Sequence, residues 1–150
     1  MNTHPTLKNI LVQKKESPHA AHEVVETTTS WLCDELNGAA IEYNRFDCGA
    51  DFYAYSRITL RRNLHGIDVA LEIKIAEINK TPRAFADVRL ISQYYRPMLP
   101  FSCDLTNSDE KEKLLHYVAD FVLGVQSGEI EKNPRFAEAF ALQYNPSSVV

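Results

Sequence analysis

Residues 67–76 read IDVALEIKIA and decide the fold. An apolar branched residue occupies every second position of this stretch, and charged or small residues stand between them. Because successive side chains of a strand point to opposite faces of a sheet, the alternation predicts a strand with one buried face. We therefore expect Glu72 and Lys74 to lie together on the opposite face from Ile73.

The residues before this stretch predict two more strands. Residues 52–60 are rich in aromatic and β-branched side chains, and residues 62–66 suit a hairpin connection to the next strand. We expect another strand over residues 39–46, with Asp47-Cys48-Gly49 as the turn that follows it. Together these segments predict an antiparallel meander, to which residues 101–105 can add a short fourth strand.

Helical patterns flank the predicted strands. Ser17-Pro18 suits the start of a helix over residues 17–38, and Asn37-Gly38 suits its end. A second helix is expected over residues 81–97, where Thr81-Pro82 resembles a helix start and apolar residues recur every three or four positions. A third is expected over residues 107–127, and Asn133-Pro134 opens a last one.

These elements predict one α+β domain over residues 17–145. In it a three- to four-stranded antiparallel meander carries an N-terminal helix and two to three C-terminal helices packed on the sheet. Residues 1–16 are expected to be a flexible arm, or to hold a short strand or turn over residues 7–12. A chain of 150 residues is of the usual size for a single domain.

Composition favours a cytoplasmic protein. No apolar stretch approaches the roughly 20 residues of a membrane span, and the first residues lack the pattern of a secretion signal, so we expect no membrane partner. The three cysteines are odd in number and far apart, which indicates free thiols.

The charge of the chain is unevenly distributed. Residues 57–96 hold eight basic and four acidic side chains, although the whole chain has a net charge of −4. A basic middle segment can face an anionic partner, including nucleic acid. The alternative is a solvated surface whose basic residues pair with acids elsewhere in the chain.

Tyrosines and arginines share one face of the strand predicted before residue 62. Tyr53, Tyr55, Arg57 and Arg61 share one face, Ala54, Ile58 and Leu60 supply the other, and Arg62 follows directly. Tyrosine beside arginine is typical of surfaces that bind other macromolecules, although a helix could also cover this face. We expect a non-enzymatic protein-binding domain, similar in kind to inhibitors, immunity proteins or chaperones. Its partner would be another protein or a second copy in a homo-oligomer, and no cofactor would be needed.

An enzyme is the alternative. Two converging carboxylates can hold Mg²⁺, and a nearby lysine can orient an attacking water. Asp51, Glu72 and Lys74, together with the predicted element order over residues 18–127, resemble the PD-(D/E)XK nuclease family. The resemblance implies a Mg²⁺-dependent phosphodiesterase with Asp51 and Glu72 as metal ligands and Lys74 as the catalytic lysine. The other interpretation of the same residues is a set of ion pairs on a solvated sheet face.

Overall fold

The computed structural model describes residues 6–50, 53–90 and 101–143, and for residues 9–21, 50, 53 and 141–143 it describes the backbone alone. The fold is α+β, with an N-terminal helix, a five-stranded antiparallel meander and a C-terminal helix packed on the sheet. The predicted class is confirmed at this level, with five strands instead of three or four. The elements are α1 (Leu7–Gly38), β1 (Asn44–Ala50), β2 (Tyr53–Leu64), β3 (Ile67–Ile78), β4 (Thr81–Leu90), β5 (Phe101–Asp104), α2 (Ser108–Ser127), a 3-10 turn (Ile130–Lys132) and α3 (Ala137–Gln143).

The strands lie in the sheet in the order in which they occur in the chain. Each neighbouring pair is antiparallel, from β1 at one edge to β5 at the other. Two-residue turns join the central strands: His65-Gly66 between β2 and β3, and Asn79-Lys80 between β3 and β4. All four turn residues have positive φ, which matches the twist of a tight hairpin. The hairpin predicted around residues 62–66 is therefore confirmed.

One face of the sheet forms the core with the helices. Leu71, Ile73 and Ile75 of β3 are completely buried, and they belong to the same apolar cluster as Leu32 of α1 and Phe121 of α2. The strand predicted over residues 67–76 is confirmed and continues to Ile78. Burial of this face removes apolar surface from water, which is the main favourable term in folding.

The helix predicted over residues 81–97 is wrong for residues 81–90, which form β4; residues 91–97 lie outside the described part of the chain. The strand pairs with β3 along its whole length, from Thr81 opposite Ile78 to Leu90 opposite Val69. Its even-numbered residues are buried and most of its odd-numbered residues are partly exposed. Pairing with β3 and burial of small alanines outweigh the local helical signal, which is a weak preference.

Three further predictions within the first 50 residues are corrected. The strand predicted over residues 39–46 begins only at Asn44, and Asp47-Cys48-Gly49 lies inside β1 instead of forming a turn. Residues 39–43 leave α1 through Ala40, whose φ of 56° lies in the left-handed region. Residues 7–16, expected to be an arm or a short strand, belong to α1.

Helix α2 follows its prediction closely. The Asn107 side chain accepts hydrogen bonds from the backbone N–H groups of Asp109 and Glu110, and Gly128 ends the helix in the left-handed conformation. The last helix starts at Ala137, a few residues after the predicted start at Asn133-Pro134. Within the described residues, no helix combines the length and apolar character needed to cross a membrane.

Candidate functional site

The sheet face opposite the core forms the candidate site, and we call it the open face. The described helices pack on the other face, and the charged and aromatic side chains here are partly exposed. Strand alternation and antiparallel register bring these side chains together from all five strands. They are Phe46 of β1, Tyr55, Arg57, Thr59 and Arg61 of β2, Asp68, Glu72 and Lys74 of β3, Arg83, Phe85, Asp87 and Arg89 of β4, and Ser102 and Asp104 of β5.

Aromatic rings and basic side chains contact one another on the β1 side of the open face. The Phe46 and Tyr55 ring centroids are 6.2 Å apart. The Arg57 guanidinium carbon lies 5.0 Å from the Phe46 centroid, and Lys74 Nζ lies 4.6 Å from the Tyr55 centroid. A cation within about 6 Å of a ring is attracted by the ring quadrupole, so these contacts hold the long basic side chains in place.

Glu72 extends this arrangement towards β4. Its carboxylate accepts a hydrogen bond from Arg57 Nη1 at 3.5 Å and forms an ion pair with Arg89 Nη2 at 2.8 Å. The side chain is 24% exposed, and its charge is balanced by two arginines on the neighbouring strands. We call the connected set Phe46, Tyr55, Arg57, Glu72, Lys74 and Arg89 the four-strand row, because it runs across β1, β2, β3 and β4.

Basic side chains slightly outnumber acidic ones on the open face. The face has five basic and four acidic side chains, whereas the whole chain carries a net charge of −4. Arg83 donates to the Ser102 hydroxyl at 2.8 Å, and neither Arg83 nor Arg61 forms an ion pair within the described residues. The acidic excess of the protein therefore lies elsewhere on its surface.

A second polar group ties the edge strand to α1. Arg45 of β1 donates to Glu26 at 2.7 Å and to Asp47 at 3.0 Å, and Asp47 accepts from the buried Ser56 hydroxyl at 2.6 Å. Burial opposes the charge of Asp47, but the hydrogen bonds from Ser56 and Arg45 outweigh it and lower the pKa of this carboxyl. Burial likewise opposes the charge of Arg45, and its bonds to Asp47 and proximity to Glu26 keep its pKa raised.

The predicted binding residues are only partly brought together. Tyr55, Arg57 and Arg61 lie on the open face. Tyr53 begins β2, and its side chain lies outside the described residues. Arg62 follows Arg61 on a strand and therefore projects to the other side, where it donates to the carbonyls of Glu42 and Arg61.

The structure describes two of the three residues of the nuclease prediction. Glu72 and Lys74 share the open face, as the alternation predicted, but Asp51 lies outside the described residues. The element order behind the resemblance differs, because residues 81–90 are a strand. In the described part of the chain no group of three His, Cys, Asp or Glu residues could hold a metal ion. The metal and catalytic roles stay predictions.

Sequence reasoning missed Phe46 and Arg89. Phe46 fell in a strand predicted with the wrong limits, and Arg89 fell in the predicted helix. The alternation of Arg83, Phe85, Asp87 and Arg89 with apolar residues was the signal that could have found the β4 contribution.

No protein-family model matches the chain, and neither a curated protein nor a solved structure matches it significantly.

Proposed function

We propose that this protein is a non-catalytic binding domain whose open face docks an acidic surface of another protein. The four-strand row is the observation that carries the proposal. It places two aromatic rings and three basic side chains on one partly exposed sheet face. Aromatic residues and arginine are enriched among the residues that dominate binding energy at protein interfaces.

The contacts within the row favour tight binding. Association costs roughly 0.5–1.5 kcal/mol for each flexible side chain that becomes immobilised at an interface. Arg57 is already held between the Phe46 ring and the Glu72 carboxylate, and Lys74 lies against Tyr55. These side chains therefore lose less freedom on binding than unconstrained ones would.

Charge indicates the chemistry of the partner. Arg61 has no ion-pair partner within the described residues, and Arg83, which donates to Ser102, has Asp104 as its cross-strand neighbour; the two arginines lie on either side of the row on the same face. Carboxylates on a partner could pair with them, while the partner's apolar groups cover Phe46, which is 50% exposed. Complementary charge of this kind speeds association and selects partners.

The test is affinity capture of partners from the native cell extract with the wild type and with the double variant Tyr55→Ala/Arg57→Ala. We expect a specific protein captured by the wild type to be lost, and its affinity, measured by calorimetry with purified protein, to fall by roughly two orders of magnitude. Stability should fall by only about 1 kcal/mol, because both side chains are partly exposed.

The matched control is Glu112→Ala/Lys113→Ala, which truncates two exposed side chains on α2. It should leave capture unchanged. Equal affinity of all three proteins for the partner would reject the open face as the docking site. Capture of nucleic acid alone, or of a second copy of this chain alone, would reject the proposed partner.

The proposed non-catalytic function also predicts the outcome of a nuclease assay. Supercoiled plasmid incubated with Mg²⁺ and the wild-type protein should remain intact, because Glu72 is already paired with Arg57 and Arg89. Nicking by the wild type that disappears in Glu72→Ala would support the nuclease instead.

A further inference from the structure

The edge of the sheet has a notch beside β2. Strand β1 begins at Asn44, opposite Thr59, whereas β2 continues to Leu64 and pairs over its last residues with β3. Residues 39–43 connect α1 to β1 past this unpaired part of β2. The resulting cleft has a volume of about 760 Å³, and Asn37, Tyr43, Asn44, Thr59, Arg61 and Arg62 line it. Small-molecule sites occupy roughly 300–1,000 Å³, so this cleft is large enough for one.

Arginines reach the cleft from both faces of the sheet edge, Arg61 from the open face and Arg62 from the other face, and their charges are not fully compensated. Arg45, Arg61 and Arg62 all line it, and Glu42 is the acidic residue among its lining. Arg45 is balanced by Glu26 and Asp47. Within the described residues, neither Arg61 nor Arg62 forms an ion pair.

Arg62 is fixed in position while its charge stays available. Its Nη1 donates to the Arg61 carbonyl at 2.8 Å and its Nη2 donates to the Glu42 carbonyl at 3.0 Å. Carbonyl oxygens are neutral, so these bonds orient the guanidinium without cancelling its charge. A guanidinium carries five N–H donors, so donors remain for a ligand.

We infer that this cleft binds a small polyanion, a molecule whose charges are phosphate or carboxylate groups. The planar guanidinium forks of Arg61 and Arg62 match the oxygens of either group. The amides of Asn37 and Asn44 and the Thr59 hydroxyl can bond the polar parts of such a molecule. The partly buried Ile41 and Tyr43 supply an apolar wall.

The test is calorimetric titration of the whole chain with pyrophosphate, ADP and citrate at constant ionic strength. We expect at least one to bind the wild type with a dissociation constant below roughly 1 mM. Tighter binding of pyrophosphate or ADP would identify phosphate as the recognised group, and tighter binding of citrate would identify carboxylate. Absence of binding of all three up to roughly 10 mM would overturn the inference.

Charge-matched variants distinguish the cleft from general electrostatic attraction. Arg61→Gln/Arg62→Gln should weaken binding by roughly tenfold or more, since it removes two charge-assisted contacts. Lys113→Gln/Lys132→Gln removes the same charge from exposed positions on α2 and the 3-10 turn and should change binding by less than about twofold. Equal weakening in the two variants would show diffuse attraction and overturn the site.

Loss of Arg62 could disturb residues 39–43, because Arg62 donates to the Glu42 carbonyl. Two further measurements therefore test the site without changing Arg62. The exposed Arg61 can be changed alone to Gln, and this variant should also weaken binding. In the wild type, pyrophosphate should shift backbone amide resonances of residues 37–44 and 59–62. Shifts confined to other parts of the chain would overturn the inference. The open-face variant Tyr55→Ala/Arg57→Ala should still bind the anion, so this inference and the proposed function can fail separately.

Discussion

Among single residues, Asp47 shows how one carboxylate joins a helix to two strands. It accepts from the Ser56 hydroxyl and from Arg45, which in turn reaches Glu26 on α1. Ser56 is 2% exposed, and a buried hydroxyl left without an acceptor costs about 1–3 kcal/mol. The polar group therefore lets β1 lie against β2 and α1 with its charges satisfied.

The stability that Asp47 contributes should depend on pH. Its pKa is lowered in the folded state, so its contribution is complete above the unfolded pKa of about 3.9 and is lost as pH falls through the lower folded value. Asp47→Asn keeps an oxygen for Ser56 but removes the charge. We expect it to cost about 0.5–1 kcal/mol at pH 7, measured by urea denaturation, and to cost less near pH 3, below the unfolded pKa.

The control for this experiment is Asp34→Asn, which changes an exposed aspartate on α1. Its effect on stability should be small at both pH values. A cost of Asp47→Asn that is as large at pH 3 as at pH 7 would mean that the residue acts through packing and not through its charge.

Single elements differ in how much of their structure depends on local sequence. The end of α2 is determined locally by Gly128, which has a φ of 77°; a Cβ there would in addition lie 2.9 Å from His65 Nε2 of the β2–β3 turn. At Gly38, the last residue of α1, a Cβ would have no neighbour within 4 Å and φ is not positive. The two glycines form a natural pair for comparison.

We expect Gly128→Ala to destabilise the protein by about 1–2 kcal/mol, since a side chain is unfavourable in the left-handed region. Gly38→Ala should change stability by less than about 0.5 kcal/mol, or raise it slightly by restricting the unfolded chain. Thermal denaturation of both variants under one condition provides the measurement. Equal effects would show that conformation at Gly128 does not determine the cost.

The same distinction explains which elements could be predicted. Helix α2 was predictable because Asn107, its apolar stripe and Gly128 are all signals within one segment. Strand β4 was not, because two of its buried positions are the small residues Ala84 and Ala86, which give a weak apolar pattern, and because Thr81-Pro82 resembles a helix start. Its strand conformation depends on the β3 partner across Asn79-Lys80, a turn without the glycine that usually marks such hairpins.

In the candidate site, too, features set within one strand could be predicted and features that depend on a second strand could not. Tyr55, Arg57, Glu72 and Lys74 could be placed on faces of their strands because a period of two is visible in one strand at a time. Which strands contact each other depends on register, so the contact of Phe46 with Arg57 and the pairing of Arg89 with Glu72 could not be predicted. The anion cleft was equally hidden, because it arises from the different lengths of β1 and β2.

For the whole molecule, one apolar cluster joins the sheet to α1, α2 and α3. Phe136 holds the C-terminal part of this cluster. Its ring makes edge contacts with Tyr117 and Phe121 of α2, at centroid distances of 5.1 and 6.5 Å, and it is almost completely buried. Because the helices share this cluster, they should unfold with the sheet.

We expect Phe136→Ala to cost about 3–5 kcal/mol and to leave a single unfolding transition. The comparison is Phe46→Ala, which makes the same change at an exposed position and should cost about 1 kcal/mol or less. Circular dichroism and tryptophan fluorescence should report coincident transitions. Separate transitions in Phe136→Ala would mean that the C-terminal helices unfold independently of the sheet.

The chain-order arrangement of the five strands has a consequence for biosynthesis. Each strand needs only the one made just before it, so hairpins can close as the nascent polypeptide leaves the ribosome, and such short-range pairing favours rapid folding. Residues 108–143, which supply α2 and α3 to cover the sheet, are translated after all five strands. If translation stalls before residue 108, the fragment lacks α2 and α3, and the apolar face of its sheet stays partly exposed to solvent. We expect such a fragment to bind chaperones or to aggregate.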